Sequence, residues 1–227
     1  MYKLVIPAMT QNFITFRRYY LDNFLNSIPF DGKVIDVGGK KNNKRGRFRP
    51  PFDKVEAWEY LNIDPSTEPD YCCSAEKIPV PDCRYNWVIL CEVLEHLSDP
   101  YTVIDECIRI LKPGGKIVIT TPFLIGIHAD PYDFQRWTPA KYKRELEEKR
   151  GMRIELCKEM GSIWAVYWDC IYLAGSPGGP ETYKKYSRVF LYLIKDIFMH
   201  LEKKYPGNEK ITTGYALIAT KENIKGI

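Results

Sequence analysis

Four short apolar runs narrow the choice of fold more than any other feature of this chain: GKVIDVGG (32–39), AWEYLNIDP (57–65), YNWVILCEV (85–93) and KIVIT (116–120). Each is strand-length, and each is apolar almost throughout instead of alternating, as strands buried on both faces are. Helical patterns are interleaved with them. Phe13, Phe16, Tyr20, Phe24 and Leu25 fall on one face of a helix over 11–27. Val103, Ile104, Cys107, Ile108 and Leu111 fall on one face of another, with Asp99 as N-cap, Pro100 at the first position and the KPGG sequence at 112–115 as a glycine stop. A charged helix over 139–150 and two more strands, MRIELCKEM (152–160) and TGYALIATK (213–221, with a period of two), follow. Strands alternating with helices predict an α/β fold with a mostly parallel sheet.

Residues 1–227 read as one domain with one interruption. Between the last two strands, residues 161–210 carry an aromatic patch, a GSPGGP turn and an apolar helix at 187–205, read as an insertion. The apolar stripe of that helix (Val189, Phe190, Leu193, Ile194, Ile197, Phe198, Leu201) suits packing on its own domain, a homodimer contact or a peripheral membrane contact. Trp164, Tyr167, Trp168 and Tyr172 suit the core or stacking on an acceptor.

Composition excludes several classes. The formal charge of +4 is too small to call for nucleic acid, and the basic run at 40–49 has only Phe48 among its cations; it reads as a solvated loop or a contact for a phosphate-bearing acceptor. Seven cysteines without a C-x-x-C and three histidines scattered along the chain give no metal site, and the cysteine usage suits a reduced, cytoplasmic setting. No run is long and apolar enough to span a bilayer, and the first residues lack a signal-peptide core.

In open α/β sheets ligands sit at the carboxyl ends of the strands. There the chain places Asp36, Gly38 and Gly39 after the first strand, Asp64 after the second and Cys91 and Glu92 after the next clear one. A carboxylate at position 36 repels a pyrophosphate, which disfavours an NAD oxidoreductase, and attracts an ammonium or sulfonium; Asp64 suits a ribose diol. These features favour S-adenosylmethionine.

VIDVGG, LNIDP, CSAEKIPVPDCRYNWVILCEVLEHLSDP and RILKPGGKIVITTPF, in that order, resemble the class I S-adenosylmethionine-dependent methyltransferases of the type 11 kind over roughly residues 33–160. The resemblance implies a Rossmann-like, seven-stranded sheet with helices on both faces and an antiparallel last strand. It implies that Asp36, Gly38 and Gly39 meet the methionine part and Asp64 the ribose. Ser74, Ala75 and Glu76 would edge the adenine, and Cys91 and Glu92 would close the floor. Ser74 stands where many relatives carry Asp, and Lys40 and Asn42 where they carry glycine.

PFLIGIHADPYDFQRWT (122–138) resembles a subgroup associated with glycan and polysaccharide biosynthesis, and its shared positions here are His128, Pro131, Asp133, Arg136 and Thr138. The expected activity is methyl transfer to an oxygen or nitrogen of a small molecule or glycan precursor. His128 is the first candidate for a base, being of the residue type that titrates near neutrality. Asp133 would orient it, Arg136 would hold an anionic group, and His96 is the reserve base. The bland alternatives are an Asp133–Arg136 loop lock and an inactive scaffold that keeps only the fold.

Overall fold

The computed structural model describes residues 15–42, 46–129, 131–174, 194–205 and 210–222. Strands β1 (Lys33–Val37), β2 (Ala57–Asn62), β3 (Tyr71–Cys72), β4 (Tyr85–Cys91), β5 (Leu111–Pro122), β6 (Met152–Glu159) and β7 (Gly214–Lys221) form one sheet of order β3-β2-β1-β4-β5-β7-β6. All neighbours up to β5 pair in parallel, with Asp36 beside Tyr60 on one side and Ile89 on the other. Strand β7 runs antiparallel to β5 and to β6. The expected Rossmann-like sheet with its antiparallel last strand is therefore present. Because β2 and β4 flank β1, the chain leaves β1 in opposite directions, and the crevice this opens lies at the carboxyl ends of β1 and β4.

Side chains alternate between two buried layers. Ile35, Val37, Val88, Leu90, Ile117 and Ile119 face helix α2 (Pro100–Ile110), which presents Val103, Ile104, Cys107 and Ile110. Val34, Trp87, Ile89 and Val118 face helix α1 (Phe16–Asn26) through Leu21, Phe24 and Leu25. This explains the near-continuous apolar runs, since a strand covered on both sides has no solvent face to mark with polar residues. Strand β7 is likewise buried along all but its last residue, so its apparent period of two does not correspond to an exposed face.

Several boundaries differ from the sequence reading. Helix α1 begins at Phe16, where Thr15 accepts a hydrogen bond from the Arg18 N–H; residues 11–14 lie outside the described part. Helix α2 stops at Ile110, before KPGG, because Leu111 already adopts extended backbone and pairs with Tyr85. The left-handed Gly114 thus shapes the start of β5 and caps no helix. The charged stretch after residue 138 is one turn of α-helix, α3 (Pro139–Tyr142), running into π-helical geometry at Lys143–Glu148.

The insertion between β6 and β7 is seen in part: helix α4 (Ile163–Ala174) and a helix over 194–204. The GSPGGP turn, Val189, Phe190 and Leu193 lie outside the described residues. What is described packs on the domain itself. Phe16, Ala165, Trp168 and Met199 form a small third core, with Phe16 edge-on to Trp168 at 5.8 Å and Phe198 at 5.6 Å from Trp168. Glu202, 6% exposed, accepts from Tyr20 Oη at 2.6 Å and from the Ser162 N–H at 2.8 Å. Among the described residues no helix is long and apolar enough to cross a membrane.

Candidate functional site

The glycine turn after β1 is shaped by close approaches. Gly38 has φ +82°, and a Cβ there would lie 2.5 Å from Val93 Cγ2. A Cβ on Gly39 would lie 2.3 Å from the Asp36 carboxylate, which folds back over the turn. Only hydrogen fits at either position. Asn62, at the end of β2, holds the turn from the other side: its Nδ2 donates to the carbonyls of Gly38 (3.1 Å) and Gly39 (3.0 Å), and its Oδ1 accepts from the Asp64 N–H (2.9 Å). One amide side chain thus ties the turn bearing Asp36 to the loop bearing Asp64.

Asp64 itself is exposed and caps a short 3-10 turn through the Ser66 N–H (2.9 Å). The Ser66 hydrogen bonds hold its carboxyl below the ordinary aspartate range, so it is anionic at neutral pH. A carboxylate has about four acceptor sites, enough to cap the turn and still take a ribose hydroxyl. Ser74, Ala75 and Glu76 form the next turn, after β3; Ala75 is half-buried, and Ser74 Oγ accepts from the Glu76 N–H at 3.2 Å. The altered rim is partly taken up by local acids. Lys41 pairs with Asp70 at 2.5 Å, and Asn42 donates to Glu68 at 2.9 Å. Part of the basic run therefore fastens the rim to the loop after β2.

At the end of β4, burial pushes the Cys91 thiol up to about 12, which keeps it protonated. Glu92 has φ +57°, an unusual backbone for a non-glycine residue, and it turns the chain across the crevice. Its N–H donates to Thr120 O (2.9 Å), its Oε1 accepts from Thr120 Oγ1 (3.0 Å), and its carboxylate pairs with Arg17 of α1. Burial lowers the Arg17 guanidinium to about 10, with Arg18 adding to the shift, yet it remains charged at neutral pH. Helix α1 is anchored above by Asp169 of α4, which accepts from the Phe16 N–H (2.7 Å) and the Arg17 N–H (3.2 Å).

The loop after β5 brings the remaining residues together. Asp133 grips Arg136 with both oxygens, at 2.7 Å for one, and also accepts from the His128 N–H at 3.0 Å. Arg136 lowers the Asp133 carboxyl well below its usual range. This is the loop lock, and it occupies Arg136. His128 Nδ1 lies 3.6 Å from Asp133 Oδ2, while its Nε2 lies 3.6 Å from Glu95 Oε1. His96, in the 3-10 turn Leu94–His96, has its Nδ1 2.7 Å from Tyr132 O and its Nε2 3.7 Å from the same Glu95 oxygen. The two rings stand nearly perpendicular with centroids 5.2 Å apart. Two of the three histidines, far apart in the sequence, are thus neighbours in space. Around them Ile127 (85%), Tyr132 (61%) and Phe134 (52%) are exposed.

Sequence reasoning missed Asn62, Arg17, Asp169 and Glu95. Asn62 was visible inside LNIDP, and Glu95 inside VLEHL, but neither type announces its role without the partners that the fold supplies.

The comparisons agree with this architecture. Residues 46–119 match the family model described as a methyltransferase domain. A probable S-adenosylmethionine-dependent methyltransferase of Mycolicibacterium smegmatis is 39% identical over 85 residues, covering 35% of this chain and 33% of the relative. A ubiquinone biosynthesis O-methyltransferase of Nitrobacter winogradskyi is 35% identical over 129 residues, covering 47% of each. The chain thus spans a third to a half of the length of these curated relatives. A SAM-dependent methyltransferase from Archaeoglobus fulgidus superposes with a TM-score of 0.53 at 18% identity, over 90% of this chain and 92% of its own. The cyclase SpnF does so with a TM-score of 0.55 at 17% identity, over 89% and 80%. At such identities the superpositions speak for the fold alone, and the same fold in a cyclase shows how little that says about chemistry.

With motifs and sheet order in agreement, residues 46–119 match a methyltransferase domain set in a Rossmann-like fold like that of the class I S-adenosylmethionine-dependent methyltransferases. The cofactor that goes with this domain is S-adenosylmethionine, and the chemistry of the turn is compatible with it: glycines where a Cβ would collide with Val93 or Asp36, and carboxylates nearby at positions 36 and 64.

Proposed function

We propose that the chain methylates an oxygen or nitrogen of a small molecule or glycan precursor, with a hydroxyl oxygen the favoured acceptor. One observation carries this reading: the His128 imidazole sits at the carboxyl edge of the sheet, between the carboxylates of Asp133 and Glu95. S-adenosylmethionine supplies a methyl on a sulfonium, itself a good leaving group, so the chain's work is alignment and removal of one proton. Asp36, Gly38, Gly39 and Asp64 hold the cofactor, with Ser74, Ala75 and Glu76 beside the base and Cys91 and Glu92 beneath. His128 Nε2 takes the hydroxyl proton, which then lies between two carboxylates. The exposed Ile127, Tyr132 and Phe134 offer an apolar face to an aromatic ring or to the flat side of a sugar. The named O-methyltransferase relatives support an oxygen acceptor; the glycan branch rests on the resemblance of the loop at 122–138.

The test is His128→Ala, assayed against a panel of phenolic and sugar hydroxyls. Turnover should fall by about 10²–10⁴-fold, while calorimetry shows S-adenosylhomocysteine binding unchanged. Equal rates in the variant and the wild type would remove His128 from the chemistry. Failure of the wild type to bind S-adenosylhomocysteine would favour an inactive scaffold.

A further inference from the structure

Glu95 stands out among the described residues. It is 0% exposed, and neither carboxylate oxygen has a hydrogen-bond partner. A buried carboxylate costs several kcal/mol unless it is compensated. The nearby guanidinium groups attract Glu95 at a distance but make their contacts with other acids: Arg17 pairs with Glu92, and Arg136 is held bidentately by Asp133. What does face Glu95 Oε1 is a pair of imidazole nitrogens, His128 Nε2 at 3.6 Å and His96 Nε2 at 3.7 Å.

One donor atom from each of the three residues lies within 4.8 Å of the others. Two ligands about 2.0–2.2 Å from one tetrahedral ion are roughly 3.3–3.6 Å apart, so the two Glu95–histidine distances need little contraction, and any larger closure falls on the pair of imidazole nitrogens, which lie within 4.8 Å of each other. Two histidines and one carboxylate are a familiar donor set for borderline divalent ions with open positions. The outer groups match as well. His96 Nδ1 faces the Tyr132 carbonyl at 2.7 Å, and donation to it would leave Nε2 as the lone-pair nitrogen. His128 Nδ1 has the Asp133 carboxylate behind it at 3.6 Å, and Arg136 holds that carboxylate in place. Ligating histidines are oriented in this way, by a carbonyl or carboxylate on the second nitrogen.

We infer that Glu95, His96 and His128 bind one divalent transition-metal ion, zinc or a neighbour in its series, with open positions toward the loop at 123–138. The site explains why an unpaired carboxylate is buried where two imidazoles converge. It also extends the proposed function, on which this part rests: a bound ion would hold an acceptor oxygen and make its hydroxyl more acidic, and His128 would then act as a ligand instead of a base.

The test uses the full chain, stripped with a chelator and titrated with Zn²⁺ by calorimetry and with Co²⁺ by visible absorption. One ion per chain should bind, with the d–d bands of a low-coordinate Co²⁺ site. His128→Ala, on a partly exposed loop that should tolerate truncation, should weaken binding by about a hundredfold or more, and Glu95→Gln should abolish it. His200→Ala, on the exposed side of the 194–204 helix, should change nothing. Absence of stoichiometric binding overturns the inference, and so does binding indifferent to the His128 and Glu95 changes. Thermal melts guard against misfolded variants. S-adenosylhomocysteine affinity, expected to be unchanged in all of them, separates failure of the metal site from failure of the methyltransferase reading. Methyl transfer that survives exhaustive chelation would leave His128 as the base and exclude the ion from the reaction.

Discussion

The two sides of the crevice are built by different means. On the β1–β2 side the site is mostly backbone: a turn that admits only hydrogen at Gly38 and Gly39, held by the short-range reach of Asn62. On the β4–β5 side it is mostly charge, much of it brought together from distant parts of the chain: Arg17 on Glu92, Asp169 above and His128 on Glu95, with the local Asp133–Arg136 pair beside them. Backbone cradles tolerate little change because their shape is steric. Charge networks respond to every change of partner, because a buried ion keeps its cost when its counter-ion is removed.

The largest expected effect tests the charged side. Arg17→Met leaves the largely covered Glu92 without its cation and should destabilise the fold by up to about 3–5 kcal/mol, the cost for a fully buried pair, read from urea denaturation. Adding Glu92→Gln should restore much of the loss. If the single variant is as stable as the wild type, the charged side is no more interdependent than the glycine side, and the contrast fails.

The next effect depends on pH. Burial raises the Asp169 carboxyl from 3.8 to about 6. Between those values the folded protein holds a proton that the unfolded chain has released. The contribution of Asp169 to stability should therefore be full below about pH 4, decline as pH rises toward 6, and be absent above it, against the opposite trend of the carboxylates whose pKa is lowered, such as Asp133 and Glu145. The shift corresponds to at most about 3 kcal/mol. Asp169→Asn should flatten this slope; an identical pH profile in the variant would show that Asp169 titrates like a surface acid.

The smallest effect tests the backbone side. In Gly39→Ala the new methyl must displace the Asp36 carboxylate, and S-adenosylhomocysteine affinity should fall about a hundredfold, or about 2.7 kcal/mol. Affinity within about threefold of the wild type would mean that the turn is not the cradle.

This contrast also explains what could be read from the chain before its structure. Sheet, strand ends and glycine turn were legible because their determinants are local: apolar runs, a glycine pair, an acid two residues after a strand. The KPGG stop was misplaced because the turn residues were right but the strand before them, starting at Leu111, was recruited by Tyr85 across the sheet. The Asp133–Arg136 lock could be foreseen from its i,i+3 spacing. Arg17 could not, because a helix whose apolar face is obvious gives no hint that one of its cations turns inward. Glu95 could not either, since an acid beside His96 in sequence says nothing of a second histidine arriving from the loop after β5. The helix at 187–205 was judged on a stripe of which Val189, Phe190 and Leu193 lie outside the described residues; of the rest, Ile194, Phe198 and Leu201 are half-buried and Ile197 is 58% exposed.

The anchoring of α1 has a consequence for how the molecule comes into being. Its first turn is held by a residue 153 positions later, and Tyr20 by one 182 positions later. On the ribosome this helix emerges well before those partners and must wait, with Phe16 uncovered, until residues 165–202 have followed. The glycine cradle needs only the segment from β1 to β4 and forms from contacts far closer in sequence, which are cheaper to close. Assembly should thus proceed from cradle to cover: a nascent chain stalled before residue 169 can already have the cofactor turn but not the cation over Glu92, and its exposed first helix is the segment a chaperone would meet.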